Sequence, residues 1–305
     1  MTTAALAQRP QPRNWKPKLG ILCRYSEANL EFARKEGFTS IQFMGGDGLD
    51  AGKPVDDAAI AAVKAKAAAA GIYISSLGEN GNHIDPDPER RRRVGEQMAR
   101  CIEIAGKLGV KYIGTQSGTI PGSPLQAQVD EIVRVYTEKY FPLCQKHNVG
   151  ILWEPWVGGP NIATGPVAYE ALFKAFGKTP YVGLQFDPSH LQWQMIDPVA
   201  AARAFVDKIY DVHLKDVEIL WHVVRHSGIQ PVNRARWWRF RLPGHGVVDW
   251  KGLFTVLADA GYTGAMNIEN EDELYYPPYD GGNFTEQFKR GFRLTHEWLK
   301  QYVPA

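Results

Sequence analysis

The chain is short of several features that would define its class at once. It has three cysteines in 305 residues, Cys23, Cys101 and Cys144. An odd, scattered set argues against a disulfide scaffold and fits reduced thiols in a cytosolic enzyme. No run of 18 apolar residues occurs, so no membrane-spanning helix is expected. The net charge is only +2, which implies no polyanionic partner for the molecule as a whole. The first expected strand is followed by CRYSEANL, which has no glycine. A doubly wound nucleotide-binding sheet usually carries a Gly-rich phosphate loop there, so that architecture is disfavoured.

The N-terminus is rich in Pro, Gln and Arg, and residues 1–17 read as an arm before a single domain over residues 18–305. Ala5-Leu6-Ala7 has the small residues of a signal-peptidase site, but no charged and apolar regions of sufficient length precede it. A cytoplasmic location is therefore expected, with a trimmed exported precursor as the alternative.

What is present is a regular alternation. Strand-like runs fall at 18–24, 39–44, 72–77, 110–116, 149–154, 182–187, 209–214 and 264–269. Helical stretches fall between and after them, at 26–36, 56–70, 88–108, 123–147, 167–176, 197–206, 250–261 and 283–302. Gly37, Gly71, Gly109 and Gly261 each follow a helical stretch and suit its C-terminal cap. Eight strands alternating with eight helices predict an α/β fold, a (β/α)8 TIM barrel. With 44% apolar residues, such a domain has enough to fill its core. One connection is abnormal. Residues 217–249, after strand seven, far exceed the roughly 2–6 residues of an ordinary βα loop. The segment carries Trp237, Trp238, Arg239 and Arg241 and is expected to cover the catalytic rim and set substrate choice, or to form a subunit contact.

Four ionisable residues sit at the ends of strands in the second half: Glu154 in ILWEPW, Asp187 in VGLQFDPSHL, His213 in IYDVHLKD and Glu269 in AMNIENEDE. The C-terminal ends of the strands are where barrels of this kind place their chemistry. Three carboxylates and one imidazole converging there suit one divalent ion, Mn²⁺ ahead of Mg²⁺ or Co²⁺.

The order Glu, Asp-Pro-Ser-His, His-x-Lys-Asp, Pro-Gly-x-Gly-x-x-Asp-Trp and a final Glu resembles the xylose isomerase-like sugar isomerase/epimerase superfamily. The resemblance runs from about residue 18 to 300. The first intervals, 33 residues from Glu154 to Asp187 and 26 to His213, are similar to those of ketose 3-epimerases related to tagatose 3-epimerase. The last, 56 residues to Glu269, is longer, and the enlarged loop accounts for the difference. The resemblance implies that Glu154, Asp187, His213 and Glu269 bind the metal. It also implies that Glu154 and Glu269 exchange a proton on the carbon next to a carbonyl, through a metal-stabilised enediolate. His190 resembles the family histidine that hydrogen-bonds a substrate oxygen.

Further candidates come from position. Alternation puts Lys215 on the side of His213, within reach of substrate, while Asp216 is a candidate support for the ligands. Gln185 should point into the barrel. His83 and Glu79, in SLGENGNHIDPDPE, lie at the rim; His83 either contacts substrate or pins its loop. Trp156, Trp238 and Arg239 are candidates for stacking on a sugar and bonding its hydroxyls.

A small carbohydrate is thus the expected partner, with a homo-oligomer allowed. The same chemistry permits a lyase on 3-keto glycosides, as in C-glycoside deglycosidase catalytic subunits, which would bring a small partner subunit, or a dehydratase of keto-inositol type. An endonuclease IV-like DNA-repair enzyme shares the fold but needs three metals and extra histidines on earlier strands. Strands two and four end in FMGG and GTQSG, which have none.

Overall fold

All eight expected strands form, with ends within two residues of those read from the sequence. The barrel staves are β1 (Lys18–Tyr25), β2 (Ser40–Gly46), β3 (Tyr73–Gly78), β4 (Tyr112–Thr115), β5 (Gly150–Trp153), β6 (Val182–Phe186), β7 (Ile209–Leu214) and, after two further strands introduced below, β10 (Ala265–Ile268). They are buried on both faces because the barrel interior lies on one side and helices on the other, with polar side chains such as Gln42, Ser76, Gln185, Asp211 and Asn267 among those buried; β5 and β6 are buried along their whole length. The staves pair in parallel and close into a ring in the order β1-β2-β3-β4-β5-β6-β7-β10. This computed structural model describes residues 15–303. Most of the expected N-terminal arm, with Ala5-Leu6-Ala7, lies outside the described residues.

Around the ring run α1 (Glu27–Lys35), α2 (Asp57–Ala69), α3 (Pro88–Leu108), α4 (Leu125–Val135), α5 (Phe141–His147), α6 (Pro166–Phe176), α7 (Pro188–Trp193), α8 (Pro198–Phe205), α10 (Trp250–Asp259) and α11 (Glu286–Leu299). Their ends follow local chemistry. Asp87 caps α3 by accepting from the amides of Glu89 and Arg90, Pro88 starts the helix, and Gly109 ends it in the left-handed conformation.

Two helical expectations needed correction. The stretch 123–147 is two helices, α4 and α5, joined by a wider turn over Tyr136–Tyr140. Pro142 has no N–H to give to the carbonyl one turn earlier, so the regular ladder cannot run through it. The last helix starts at Glu286, where Thr285 accepts from the amide of Phe288. The residues before it form a small hairpin of β11 (Tyr279–Asp280) and β12 (Asn283–Phe284).

The long connection after β7 is ordered secondary structure. Strands β8 (Asp216–Ile219) and β9 (Trp238–Arg241) pair antiparallel, with α9 (Trp221–Ser227) between them. Asp216 holds the base of this hairpin. Its carboxylate accepts from the amides of Val217 at 2.8 Å, Gly244 at 3.0 Å and Val248 at 3.0 Å, and from the Trp250 indole at 2.8 Å. A Cβ at Gly246 would stand 2.2 Å from the Asp216 carboxylate, which accounts for the second glycine of Pro-Gly-x-Gly-x-x-Asp-Trp. The reading of Asp216 as a support for the ligands is thus corrected: it anchors the hairpin.

No helix among the described residues is long and apolar enough to cross a membrane, and the three cysteines are buried and free.

Candidate metal and substrate site

The four strand-end residues meet. Glu154 directly follows β5, and its amide extends the ladder to Thr115 O at 3.0 Å. Asp187 follows β6 and caps α7: its Oδ1 accepts from the amide of Ser189 at 2.8 Å and from the Ser189 hydroxyl at 2.6 Å. With Pro188 in the first turn, the Asp-Pro-Ser-His sequence is a complete helix start, and it places His190 over the site. His213 lies within β7, and Glu269 directly follows β10. The four residues thus come from four consecutive staves, with the two glutamates at the ends of the arc.

One ligand atom from each of Glu154, Asp187, His213 and Glu269 lies within 4.8 Å of every other. His213 Nδ1 is 2.9 Å from Glu154 Oε1, 3.1 Å from Glu269 Oε2 and 3.8 Å from Asp187 Oδ2. Atoms this close can share an ion with bonds of about 2.0–2.4 Å. Two details fit a cation. Asp187 Oδ2 is buried and accepts no hydrogen bond; the Lys215 ammonium is 3.1 Å away, but in a direction unsuited to one. His213 Nε2 is 2.8 Å from Gln42 Oε1, a carbonyl oxygen that only accepts. Burial would lower His213, but Glu269 and Glu154 raise it well above its usual range, so without a cation the ring carries a charge. With a cation among the carboxylates, the Gln42 acceptor favours the neutral tautomer that keeps its proton on Nε2 and leaves the Nδ1 lone pair free.

Above the ligands lies Lys215, only 1% exposed. Its Nζ is 2.6 Å from Glu269 Oε2, 2.9 Å from Glu271 Oε2 and 3.2 Å from His190 Nε2. It also sits 4.4 Å above the ring of Phe240. A buried ammonium is costly by several kcal/mol, and the surrounding carboxylates offset that cost.

Burial alone would raise the Glu154 carboxyl, but the charges on His213 and Lys215 and contacts with both histidines hold it well below its usual range. Burial opposes ionisation of Glu269 too, and Lys215 and His213 outweigh it, bringing that group to about 2. Burial and the neighbouring Glu269 raise Glu271. Both end members of the arc are therefore carboxylates at neutral pH.

A cavity of about 170 Å³ opens on these groups. Among the expected residues, Glu154, Glu269, His213, His190, Lys215, Trp156 and Gln185 line it; Gln42, Asn80, Phe240 and Glu271 line it without having been read from the sequence. Gln42 did leave a signal, an amide in the middle of a buried strand.

Three substrate candidates sit elsewhere. His83 is buried behind β4, with Nδ1 3.0 Å from Tyr140 Oη and Nε2 3.0 Å from Thr115 Oγ1; it pins its loop. Trp238 is stacked on Trp193, with ring centroids 4.5 Å apart, and covered on its other side by the Arg236 guanidinium at 4.2 Å. Arg239 pairs with Glu218 at 2.8 Å on the opposite face of the hairpin. Strand alternation brings Phe240, between Arg239 and Arg241, to the cavity instead. Glu79, at the end of β3, is raised to about 7 by burial and the nearby Asp50, and does not line the cavity.

A closed eight-stranded barrel with acidic and imidazole ligands at its C-terminal rim defines the class. The chain belongs to the xylose isomerase-like TIM barrel family, whose sequence profile matches residues 30–302. It is 29% identical over 263 residues to Bacillus subtilis (strain 168) YfiH, covering 76% of this chain and 78% of that protein. It is 28% identical over 134 residues to the inosose dehydratase of Clostridium tetani, 43% of either chain. Among solved structures, Escherichia coli YcjR, a 3-keto-D-glucoside 4-epimerase, matches with a TM-score of 0.68 at 18% identity, over 94% of this chain and 100% of that one. IolI, solved with a zinc atom, matches with a TM-score of 0.70 at 17% identity over the same shares. At those identities the two structures speak for the fold.

Proposed function

We propose that this protein is a divalent-metal-dependent sugar isomerase or epimerase that moves a proton on the carbon beside a carbonyl, with Glu154 and Glu269 as the acid–base pair. The observation that carries this reading is the arc of four staves, with the carboxyl groups of Glu154 and Glu269 at its two ends and that of Asp187 and the imidazole of His213 between them. The family includes enzymes with such activities in their names, and an enzyme acting on sugars is what the relatives have in common.

A cation held by Glu154, Asp187, His213 and Glu269 would supply a Lewis acid to the carbonyl and hydroxyl oxygens of the substrate. The remaining work falls to the side chains. A C–H beside a carbonyl is a weak acid, and positive charge near the carbonyl makes it easier for a carboxylate to remove the proton. The Lys215 ammonium lies on that side and can donate to developing negative charge, with His190 Nε2, 3.2 Å away, helping to hold it there. One glutamate takes the proton from one face of the carbon, and the other, once protonated, returns one from the opposite face.

The cavity, at about 170 Å³, is below the roughly 300–1,000 Å³ of drug-sized pockets and suits a monosaccharide. A second reading, a lyase on 3-keto glycosides, is favoured by the hairpin that roofs the cavity, since its displacement would admit a two-part substrate. Metal-loaded protein in deuterium oxide separates the two. Deuterium entering a free ketose supports the isomerase or epimerase; release of an aglycone from a 3-keto glycoside supports the lyase. Neither result with any ketose or keto glycoside would overturn both.

A further inference from the structure

The inward-facing residues of β7 and its continuation are Asp211, His213 and Lys215; those of β10 and its continuation are Asn267, Glu269 and Glu271. The two strands are parallel neighbours, with Ala265 opposite Asp211 and Asn267 opposite His213. Three cross-strand contacts rise one above another. Asn267 Nδ2 donates to Asp211 Oδ1 at 3.0 Å. His213 Nδ1 and Glu269 Oε2 stand 3.1 Å apart. Lys215 Nζ donates to Glu271 Oε2 at 2.9 Å. The lowest contact is inside the barrel, where Ser76 and Gln185 also bond Asp211. The middle one belongs to the ligand set. The highest has no part in holding a cation, yet both members line the cavity.

The three hydrogens of the Lys215 ammonium are directed at Glu269, Glu271 and His190, and the His190 contact, at 3.2 Å, is the longest. A hydroxyl that displaces it accepts from Lys215 and donates to Glu271, so the pair is the complement of one hydroxyl group. Phe240 lies under the ammonium at 4.4 Å and meets the His190 ring edge-on at 5.2 Å, giving the same spot an apolar wall. Lys215 Nζ is 2.6 Å from Glu269 Oε2. A hydroxyl that bonds both Lys215 and Glu271 is therefore carried by the carbon facing Glu269 or by the next one. An anionic substituent does not suit this place. Four carboxylates line or border the cavity, while Arg236, Arg239 and Arg241 are paired with Glu273, Glu218 and Asp272.

We propose that the Lys215–Glu271 pair, walled by Phe240, is the specificity element of the site: it bonds the hydroxyl on the carbon next to the one that exchanges its proton and selects the configuration there. The inference rests on the proton-transfer reading above for which carbon reacts. In a 2-ketohexose exchanging at C3, the selected group is the C4 hydroxyl.

The test uses the full chain loaded with Mn²⁺ and three probes: D-fructose, D-tagatose, which differs from it only at C4, and 4-deoxy-D-fructose. Binding is followed by tryptophan fluorescence and calorimetry, and exchange by deuterium uptake at C3. A hydrogen bond to a charged group corresponds to about 10- to 100-fold in affinity. The wild type should therefore prefer one C4 epimer over the other and over the deoxy sugar by at least about tenfold. Glu271→Gln should compress that preference to about threefold or less while leaving metal content and affinity for the deoxy sugar unchanged. If Glu271→Gln weakens all three sugars equally, or keeps the wild-type preference, the pair is a support for the ligands and the proposal is overturned; so it is if no sugar binds the wild type. Discrimination in binding without any deuterium uptake would leave the pair as the recognition element and overturn the proton-transfer reading instead.

Discussion

Gln42 Oε1 stands 2.8 Å from His213 Nε2 across the floor of the site, and this acceptor keeps a proton on Nε2, leaving Nδ1, the nitrogen that faces the carboxylates, free to bind a cation. Replacing it with Leu or Met removes the acceptor and leaves the ring free to choose its tautomer. Loss of such an outer partner commonly costs about 10- to 100-fold in metal affinity. Gln42→Met should show that loss in a competition titration against a chelating dye, with an unchanged circular dichroism spectrum. Unaltered affinity would mean that the barrel wall alone orients His213.

Glu154→Gln and Glu269→Gln keep the size of the side chain and remove its basicity. Each should lower deuterium exchange by about 10²–10⁴-fold, with weakened metal binding adding to the loss, while the unfolding transition remains cooperative. Elemental analysis should find about one divalent ion per wild-type chain, since Glu154, Asp187, His213 and Glu269 are the one such group among the described residues. Exchange that survives in either variant with metal still bound would place the proton transfer on another group.

The sequence made the barrel readable because its strands are short, largely apolar runs separated by capped helices, a pattern that local chemistry alone produces. The convergence of Glu154, Asp187, His213 and Glu269 was readable for a related reason: an ionisable residue near the end of a buried strand has nowhere to go but the rim. The rest of the site depends on contacts between distant segments. Glu271 stands two residues beyond Glu269, and only the extension of the β10 zigzag past its last paired residue turns it inward. Phe240 was hidden by its neighbours. Trp238 and Arg239 have the chemistry to bind a sugar, but the hairpin register stacks one on Trp193 and turns the other to Glu218. The hairpin itself could not be foreseen, since its pairing depends on the carboxylate of Asp216, which resembled one more polar residue beside the ligands. The same ambiguity hid α7, whose capping sequence Asp-Pro-Ser-His was read for its chemistry.

The register of that hairpin allows a clean excision. Ile219 and Trp238 face each other as paired residues, so residues 220–237 can be replaced by Asn-Gly, the favoured two-residue turn between paired strands. The ligand set and metal content should be unaffected, because no ligand lies in the excised segment. Substrate affinity should fall and selectivity broaden, because Trp237 and Arg236 no longer brace the Trp193–Trp238 stack behind Phe240. Sedimentation should be run on the same protein. If substrate range and rate are kept while the assembly breaks into smaller oligomers, the segment is a subunit contact and not a brace for the cavity roof.

His83 offers a test that is independent of metal and substrate. Burial, with no charged partner, brings its imidazole down to about 4, compared with about 6.5 for a free histidine. Between those values the unfolded chain binds a proton that the folded chain does not, so acidification favours unfolding through this group. Its effect is absent above about pH 6.5, grows as the pH falls towards about 4, and is constant below that. The difference corresponds to at most about 3 kcal/mol. His83→Gln should be less stable than wild type at pH 7, having lost its bonds to Tyr140 and Thr115. It should nevertheless lose less stability on going from pH 7 to 4.5, since glutamine takes up no proton. Urea unfolding of both proteins at the two pH values, with chelator present throughout, isolates the difference, because the carboxylates that titrate in the same range are common to both. Parallel pH dependence in the two proteins would mean that His83 binds its proton in the folded state, and the buried, pinning role assigned to it here would fail.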